Sequence, residues 1–337
     1  MNAAHDEPLL PVVRAAELAD GPPSAQWLVE SLWARAGVGI LGGAPKCCKS
    51  WLGLDLALSV ASDTPCLDSF AVRDAGPVLI YLAEDAASVV KRRLLGLCAH
   101  RGLSLDALPV HVITADALRL DLARDQSRLR RTVAALKPRL LLLDPFVRLH
   151  RVDENDAGQV AGLLGYLREI QRESDVAVLI VHHARKNASP AQAPGQGLRG
   201  SGDLHAWGDS NLYLHRRREH LVLSIEHRAA RAPEPVALWL DPDPACTRLR
   251  LCDLPNAQPA GADERDAEPS PTADLARAVL DALDAAGTPS TRTALRNTLR
   301  VRNARLGDTL GELLTAGLVA RVGERWARTL VPIPASP

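Results

Sequence analysis

The chain has 337 residues, with 40 basic side chains balanced by 40 acidic ones and 47% apolar residues, which suits a soluble globular protein of one or two domains and excludes a collagenous or disordered chain. No run of about 18 uncharged apolar residues occurs, and residues 1–20 carry acids where a signal peptide would have a basic start and an apolar core; the expected compartment is the cytoplasm, with no membrane partner. Six cysteines, at 47, 48, 66, 98, 246 and 252, form no CxxC pair, which excludes a zinc ribbon or a disulfide framework and predicts reduced thiols.

Residues 1–36 lead into a core expected to span 37–255. There, short apolar runs alternate with helical patterns: VGILGG at 38–43, VLIYLA at 78–83, RLLLLD at 139–144 and VAVLIVHH at 176–183. Runs that are apolar at every position predict strands buried on both faces, and the helices between them predict a βαβ series with a mainly parallel sheet. Asn211–His215 and His220–Glu226 read as an antiparallel edge hairpin.

The strongest signal follows the first of these runs. Gly43, Ala44, Pro45, Lys46, Cys47, Cys48, Lys49 and Ser50 stand between a strand pattern and the helical pattern that begins at Trp51, and together they nearly spell a phosphate-binding loop. That motif surrounds phosphates with backbone N–H groups and a helix N-terminus, sets a lysine at the outer phosphate oxygens and a hydroxyl on magnesium. Lys49 and Ser50 occupy the lysine and hydroxyl positions. Cys48 stands where the motif has glycine, at a cost of about 1–2 kcal/mol if φ is positive there. Paired thiols beside a lysine and a helix N-terminus are also expected to ionise readily, which would make the loop sensitive to oxidation.

Glu84 ends the second run, where it is expected either to polarise a water beside the terminal phosphate or, with Asp85, to cap the next helix. Asp144, 95 residues after Lys49, ends the third and is expected to hold the magnesium shell. Asp153, Glu154, Asn155 and Asp156 read as a solvated acidic loop leading into a helix over Ala157–Arg172. His182 and His183 end the fourth run, placed to report the state of a γ-phosphate. Residues 187–198 (NASPAQAPGQGL) predict a mobile loop, and Arg199, flanked by glycines just beyond it, is a candidate arginine finger for a neighbouring subunit.

Residues 256–271 are poor in large apolar side chains and rich in proline and charge, as a linker is. Beyond them, periodic stretches at Ala273–Ala285, Thr291–Leu299 and Asn303–Thr315, then LVARVGERWARTLV with a turn at Gly323-Glu324, predict a winged helix-turn-helix over 272–333. Five arginines and no acid lie between Arg292 and Arg305, so this module is expected to meet a DNA backbone.

GGAPKCCKSWL, YLAED, LLLLDPFVRLHRVDENDAG, VLIVHHARK and LRGSG, in that order and spacing, resemble the RecA-like ATPases of the plasmid-replication helicase RepA type, relatives of the DnaB helicases. The similarity covers roughly residues 27–226. The resemblance implies an α/β RecA-like core with ATP and Mg2+ held between subunits of a ring hexamer. It assigns residues Gly43 to Trp51 to the nucleotide, Ser50 and Asp144 to magnesium, Glu84 to water activation, His183 with His182 to γ-phosphate sensing, and Arg199 to the neighbouring subunit. The expected function is an ATP-hydrolysing motor on DNA, a helicase of a mobile element, gripping single strands through core loops and duplex through the winged helix. The alternative is an ATP-switched DNA-binding regulator that hydrolyses slowly and separates no strands.

Overall fold

The computed structural model describes residues 10–17, 26–154, 156–183, 203–217, 220–241, 247–252, 271–299, 303–315, 317–323 and 325–329. The chain divides into two compact units, Met1–Pro255 and Asn256–Pro337.

The first unit opens with a short pair of strands, β1 (Trp27–Val29) and β2 (Trp33–Ala34), followed by β3 (Val38–Gly43), α1 (Lys49–Ser62), β4 (Val78–Leu82), α2 (Ala87–His100) and β5 (Val110–Val112). It continues through α3 (Ala123–Leu136), β6 (Leu140–Asp144), α4 (Ala157–Ser174), β7 (Ala177–His183), α5 (Asp203–Trp207), β8 (Ser210–Arg217), β9 (His220–His227), β10 (Val236–Asp241) and β11 (Arg248–Cys252). Nine strands make one sheet in the order β11-β10-β9-β8-β3-β7-β6-β4-β5. The pairs from β8 to β5 are parallel, and the three from β11 to β8 are antiparallel. This is the predicted α/β core with its mainly parallel sheet.

The all-apolar strands follow from burial on both faces. Successive strand residues point to opposite sides, so Leu41, Ile80, Leu142, Leu179 and Val181 pack with α1 and α2, while Ile40, Tyr81, Leu143 and Ile180 pack with α3 and α4. At Gly39 a Cβ would lie 1.6 Å from the Ser210 carbonyl oxygen, so only glycine lets β8 pair beside β3. The segment expected as an edge hairpin is thus internal: β8 pairs in parallel with β3, and β10 and β11 extend the sheet beyond β9. The hairpin pairing of β8 with β9 is as expected, while the place where the pair docks was not.

The second unit contains α6 (Pro271–Ala286), β12 (Ser290–Thr291), α7 (Arg292–Leu299), α8 (Asn303–Thr315), β13 (Val319–Val322) and β14 (Arg325–Arg328). Leu275, Val279, Leu283, Leu295, Leu306, Leu310, Leu313 and Val319 form its core. Its three strands pair in the order β12-β14-β13; β12, only two residues long, left no pattern to read. The linker before Pro271 lies outside the described residues, as does Glu324 of the expected turn.

Candidate nucleotide site

The carboxyl ends of β3, β7, β6 and β4 stand side by side, with Gly43 opposite His183 and Leu82 opposite Asp144. β7 lies between the strand that leads into the phosphate loop and the strand that ends at Asp144.

The loop from Gly43 to Ser50 contains two left-handed residues, Lys46 at φ 63° and Cys48 at φ 64°. Cys48 immediately precedes α1, and its side chain makes no capping hydrogen bond. The backbone therefore takes the shape that glycine adopts freely and holds a cysteine in it, which costs about 1–2 kcal/mol. At Gly43 a Cβ would lie 2.3 Å from the Leu214 carbonyl oxygen and 2.8 Å from the Cys47 sulfur, so the exit from β3 admits no side chain.

Lys49 is buried, and its Nζ donates to the carbonyl oxygens of Gly43 at 2.9 Å and Ala44 at 2.8 Å. Burial pulls its pKa below the usual lysine value. The ammonium is thus held over the mouth of the loop by two neutral acceptors, bonds that an anionic phosphate oxygen can outcompete. The Cys47 thiol donates to the Ala44 carbonyl at 2.8 Å. Burial pushes the Cys47 and Cys48 thiols up, which overturns the expectation of readily ionised, oxidation-prone cysteines: loss of hydration outweighs the nearby cations.

Asp144 is 7% exposed, and burial pushes its carboxyl up to about 6 against a hydrogen bond from Ser50 and the charge of Lys49, which pull it down. The two residues expected at magnesium thus act on one another at the mouth of the loop. Among the described residues no group of three or more His, Cys, Asp or Glu is placed to hold a metal ion. Ser50 and Asp144 suit a cation that takes few protein ligands and fills its octahedron with water and phosphate oxygens, as Mg2+ does. Bound there, it would neutralise charge on the phosphates.

Glu84 lies at the same rim, with its charge felt by both Asp144 and His183. Its Oε1 accepts from Arg148 Nε at 2.7 Å, an exposed ion pair. Arg148 sits four residues past Asp144 in a short 3-10 turn, Phe146–Arg148. It had been part of a recognised motif without a role; its spacing from Asp144 was the available signal.

The two histidines part company. His183 faces the loop: burial first, and then the charge of Lys49, hold its pKa down, and its Nδ1 has no hydrogen-bond partner among the described residues. His182 points to the other side of the sheet, 1% exposed, with its ring 6.1 Å from that of Phe146. The strand's alternation thus puts His182 on the opposite face of the sheet from His183, behind the strand end that carries the expected sensor. Behind it lies His150, its ring 4.6 Å from Phe146, and the charge of Glu154 acts on His150. Glu154 is buried, at 8% exposure, so the acidic stretch 153–156 is not wholly a solvated loop. Asp156 instead caps α4, accepting from the Gln159 N–H at 3.1 Å.

A further cation went unnoticed in the sequence. Arg216 extends from β8 past Leu214, on the face that carries Leu212 and Leu214, and its charge acts on Cys48. Arg199 and the loop 187–198 lie outside the described residues.

In the second unit Arg292 lies over Gly307, where a Cβ would stand 2.0 Å from its Nη2. Its exposed side chain thus lies across α8. Arg296 is exposed on α7.

No helix among the described residues is long and apolar enough to cross a membrane. A DnaB-like replicative helicase, solved in a study of its interactions with primase, superposes with a TM-score of 0.47 and 16% identity over 64% of this chain. The match covers 57% of that helicase chain, so this protein spans little more than half its length. A family model described as an AAA domain matches residues 4–189. That match takes in the phosphate loop, Glu84, Asp144 and both histidines, and covers more than half of the sequence: the chain belongs to this AAA-domain family.

Proposed function

We propose that the protein hydrolyses ATP to ADP and phosphate and uses the cycle to act on DNA, as a replication-type helicase of a mobile element that works as a ring, with six copies the expected number. The observation that carries the ATPase reading is the gathering of Lys49, Ser50, Asp144, Glu84 and His183 at adjacent strand ends, where the charges of Lys49 and Glu84 act on Asp144 and His183. In this reading Lys49 holds the outer phosphates and Ser50 and Asp144 hold Mg2+. Glu84 accepts the proton of the attacking water, and His183, with an unbonded Nδ1, senses the γ-phosphate. Arg199 of an adjacent copy completes the site. The second unit, with three helices and a small sheet, is the winged helix that holds duplex, and residues 187–198 grip the single strand. The DNA and ring parts of this reading rest on the motif order, and ATP hydrolysis on the site.

One observation favours a second reading. Cys48 at φ 64° strains the residue before the phosphate lysine, which suits slow turnover and an ATP-switched regulator that binds duplex without separating it.

The deciding measurement is steady-state ATPase activity of the full chain and of Lys49→Ala with no DNA, single-stranded DNA and duplex DNA, with oligomeric mass by light scattering. Turnover that Lys49→Ala abolishes and single strands stimulate, in a ring-sized assembly, supports the motor. Nucleotide binding with little turnover and no response to single strands supports the regulator.

A further inference from the structure

Arg93, on α2, makes two contacts that share one logic. Its Nη1 lies 2.6 Å from Asp85 Oδ2 in an ion pair whose side chains are each 23% exposed. Its guanidinium carbon lies 5.4 Å from the centre of the Trp51 ring. Trp51 directly follows Ser50 in the first turn of α1, and Asp85 directly follows Glu84 beyond β4. One planar cation therefore joins the neighbour of the magnesium hydroxyl to the neighbour of the water-activating carboxylate.

Each contact suits this job. A guanidinium can stack on an indole face while its N–H fork engages a carboxylate, so the two contacts fix its plane together, which a lysine ammonium cannot do. Trp51 packs against the core cluster beneath α1, so the stacked partner is itself held. Asp85 is not the residue that caps α2; that position is Ala86. Its carboxylate is thus not engaged in capping the helix, and its charge reaches Asp144.

We propose that Arg93 is a positioning residue for hydrolysis: through Asp85 and Trp51 it fixes Glu84 relative to Ser50, and so sets the water-activating carboxylate against the magnesium-bound phosphate. The inference rests on the ATPase reading of this site. Arg93 touches neither nucleotide nor water in this scheme. Its effect falls on the chemical step, because binding of the diphosphate needs Lys49 and the loop but not the placement of Glu84.

The test compares the full chain with Arg93→Ala, Arg93→Lys, Asp85→Asn and Glu84→Gln, measuring kcat and KM for Mg·ATP, Kd for Mg·ADP and the melting temperature. Arg93→Ala is expected to lower kcat by roughly tenfold or more, as misplacement of a reacting group does, with the Mg·ADP Kd changed by less than about twofold, well under the 1.4 kcal/mol that a tenfold change represents. Arg93→Lys, which keeps the charge opposite Asp85, is expected to fall between Arg93→Ala and the parent. Asp85→Asn breaks the ion pair while leaving the stacked ring, and is expected to lower kcat as well, which keeps the proposal testable should Arg93→Ala fold poorly. If the parent turns over, Glu84→Gln does not, and both Arg93→Ala and Asp85→Asn match the parent, the positioning role is overturned while the ATPase reading stands. Equal loss of kcat and Mg·ADP binding in both variants also overturns it, because the role is then structural. A parent chain with no more turnover than Glu84→Gln overturns the ATPase reading and the positioning role together.

Discussion

Arg148 Nε and Glu84 Oε1 stand 2.7 Å apart, so the carboxylate proposed to activate water is already engaged by a cation from the segment just past Asp144. The side chains are 62% and 47% exposed, and ion pairs of this kind contribute at most about 1 kcal/mol. A bond so weak can be released within a catalytic cycle. While formed, it occupies an oxygen that a water must reach.

Removing this restraint should therefore accelerate turnover. Arg148→Ala is expected to raise ATPase activity in the absence of DNA by up to about fivefold, the rate equivalent of about 1 kcal/mol. The same change in a Glu84→Gln background should do nothing. A fall in activity in the single variant would show instead that Arg148 holds Glu84 in its working position.

Relief of backbone strain at Cys48 gives a second prediction. Cys48→Gly removes about 1–2 kcal/mol of left-handed strain and adds about 0.4–1 kcal/mol of chain entropy to the unfolded state. The net gain should be about 0.5–1 kcal/mol in the denaturant unfolding of the first unit, with faster ATP turnover. Unchanged turnover in a stabilised variant would remove the strain argument for a slow, switch-like enzyme.

The buried carboxylate of Asp144 makes stability depend on pH. Its pKa is about 6 in the folded chain against 3.8 when exposed. Between about pH 4 and pH 6 the folded state therefore binds a proton that the unfolded state has released. Stability falls as pH rises through that window, and the full cost, on the order of 3 kcal/mol, is present above it. Asp144→Asn should melt at a higher temperature than the parent at pH 7.5, lose that advantage below about pH 4, and hydrolyse no ATP. A lower melting temperature at pH 7.5 would mean that the ionised carboxylate is compensated in the folded chain.

The division of work between the units is open to a separate measurement. Leu310 is fully buried in the second core, and Leu310→Ala should cost that unit about 2–5 kcal/mol. The expected result is loss of duplex affinity with DNA-independent ATPase activity retained. Arg296→Ala should leave the unit folded, weaken duplex binding and lower its salt slope by about one. Unaltered duplex affinity in both variants would place duplex binding elsewhere.

Much of the first unit was legible because its strands are buried on both faces and so read as unbroken apolar runs ending at chemical residues. Glu84, Asp144 and His183 stand at run ends by that rule, and their expected roles came from the phosphate loop and the motif order as well. The rule fails where geometry depends on a partner. Nothing in the pair His182-His183 says which ring turns towards the loop, since that depends on the pleat of β7 against β3 and β6. The same holds for Arg148, Arg93 and Arg216, whose roles follow from interactions that span 8 to 168 residues of sequence, or from a short turn that carries no periodic signal. Glu154 looked solvated among its acidic neighbours, and only the folded chain shows it buried, with its charge acting on His150. In the cysteine pair the sequence displayed the nearby cations but not the burial that outweighs them.

β7 is hydrogen-bonded along both edges, to β3 and to β6, and this gives its length an unusual rigidity as a sequence feature. Inserting or deleting one residue between Ala177 and His183 would exchange the two histidines, sending one imidazole into the α4 side of the core and bringing its neighbour to the phosphate loop. An edge strand could absorb the change by slipping. A strand gripped on both sides acts as a ruler, so the count from Ala177 to His183 has to stay fixed even where every apolar side chain along it could be exchanged for another.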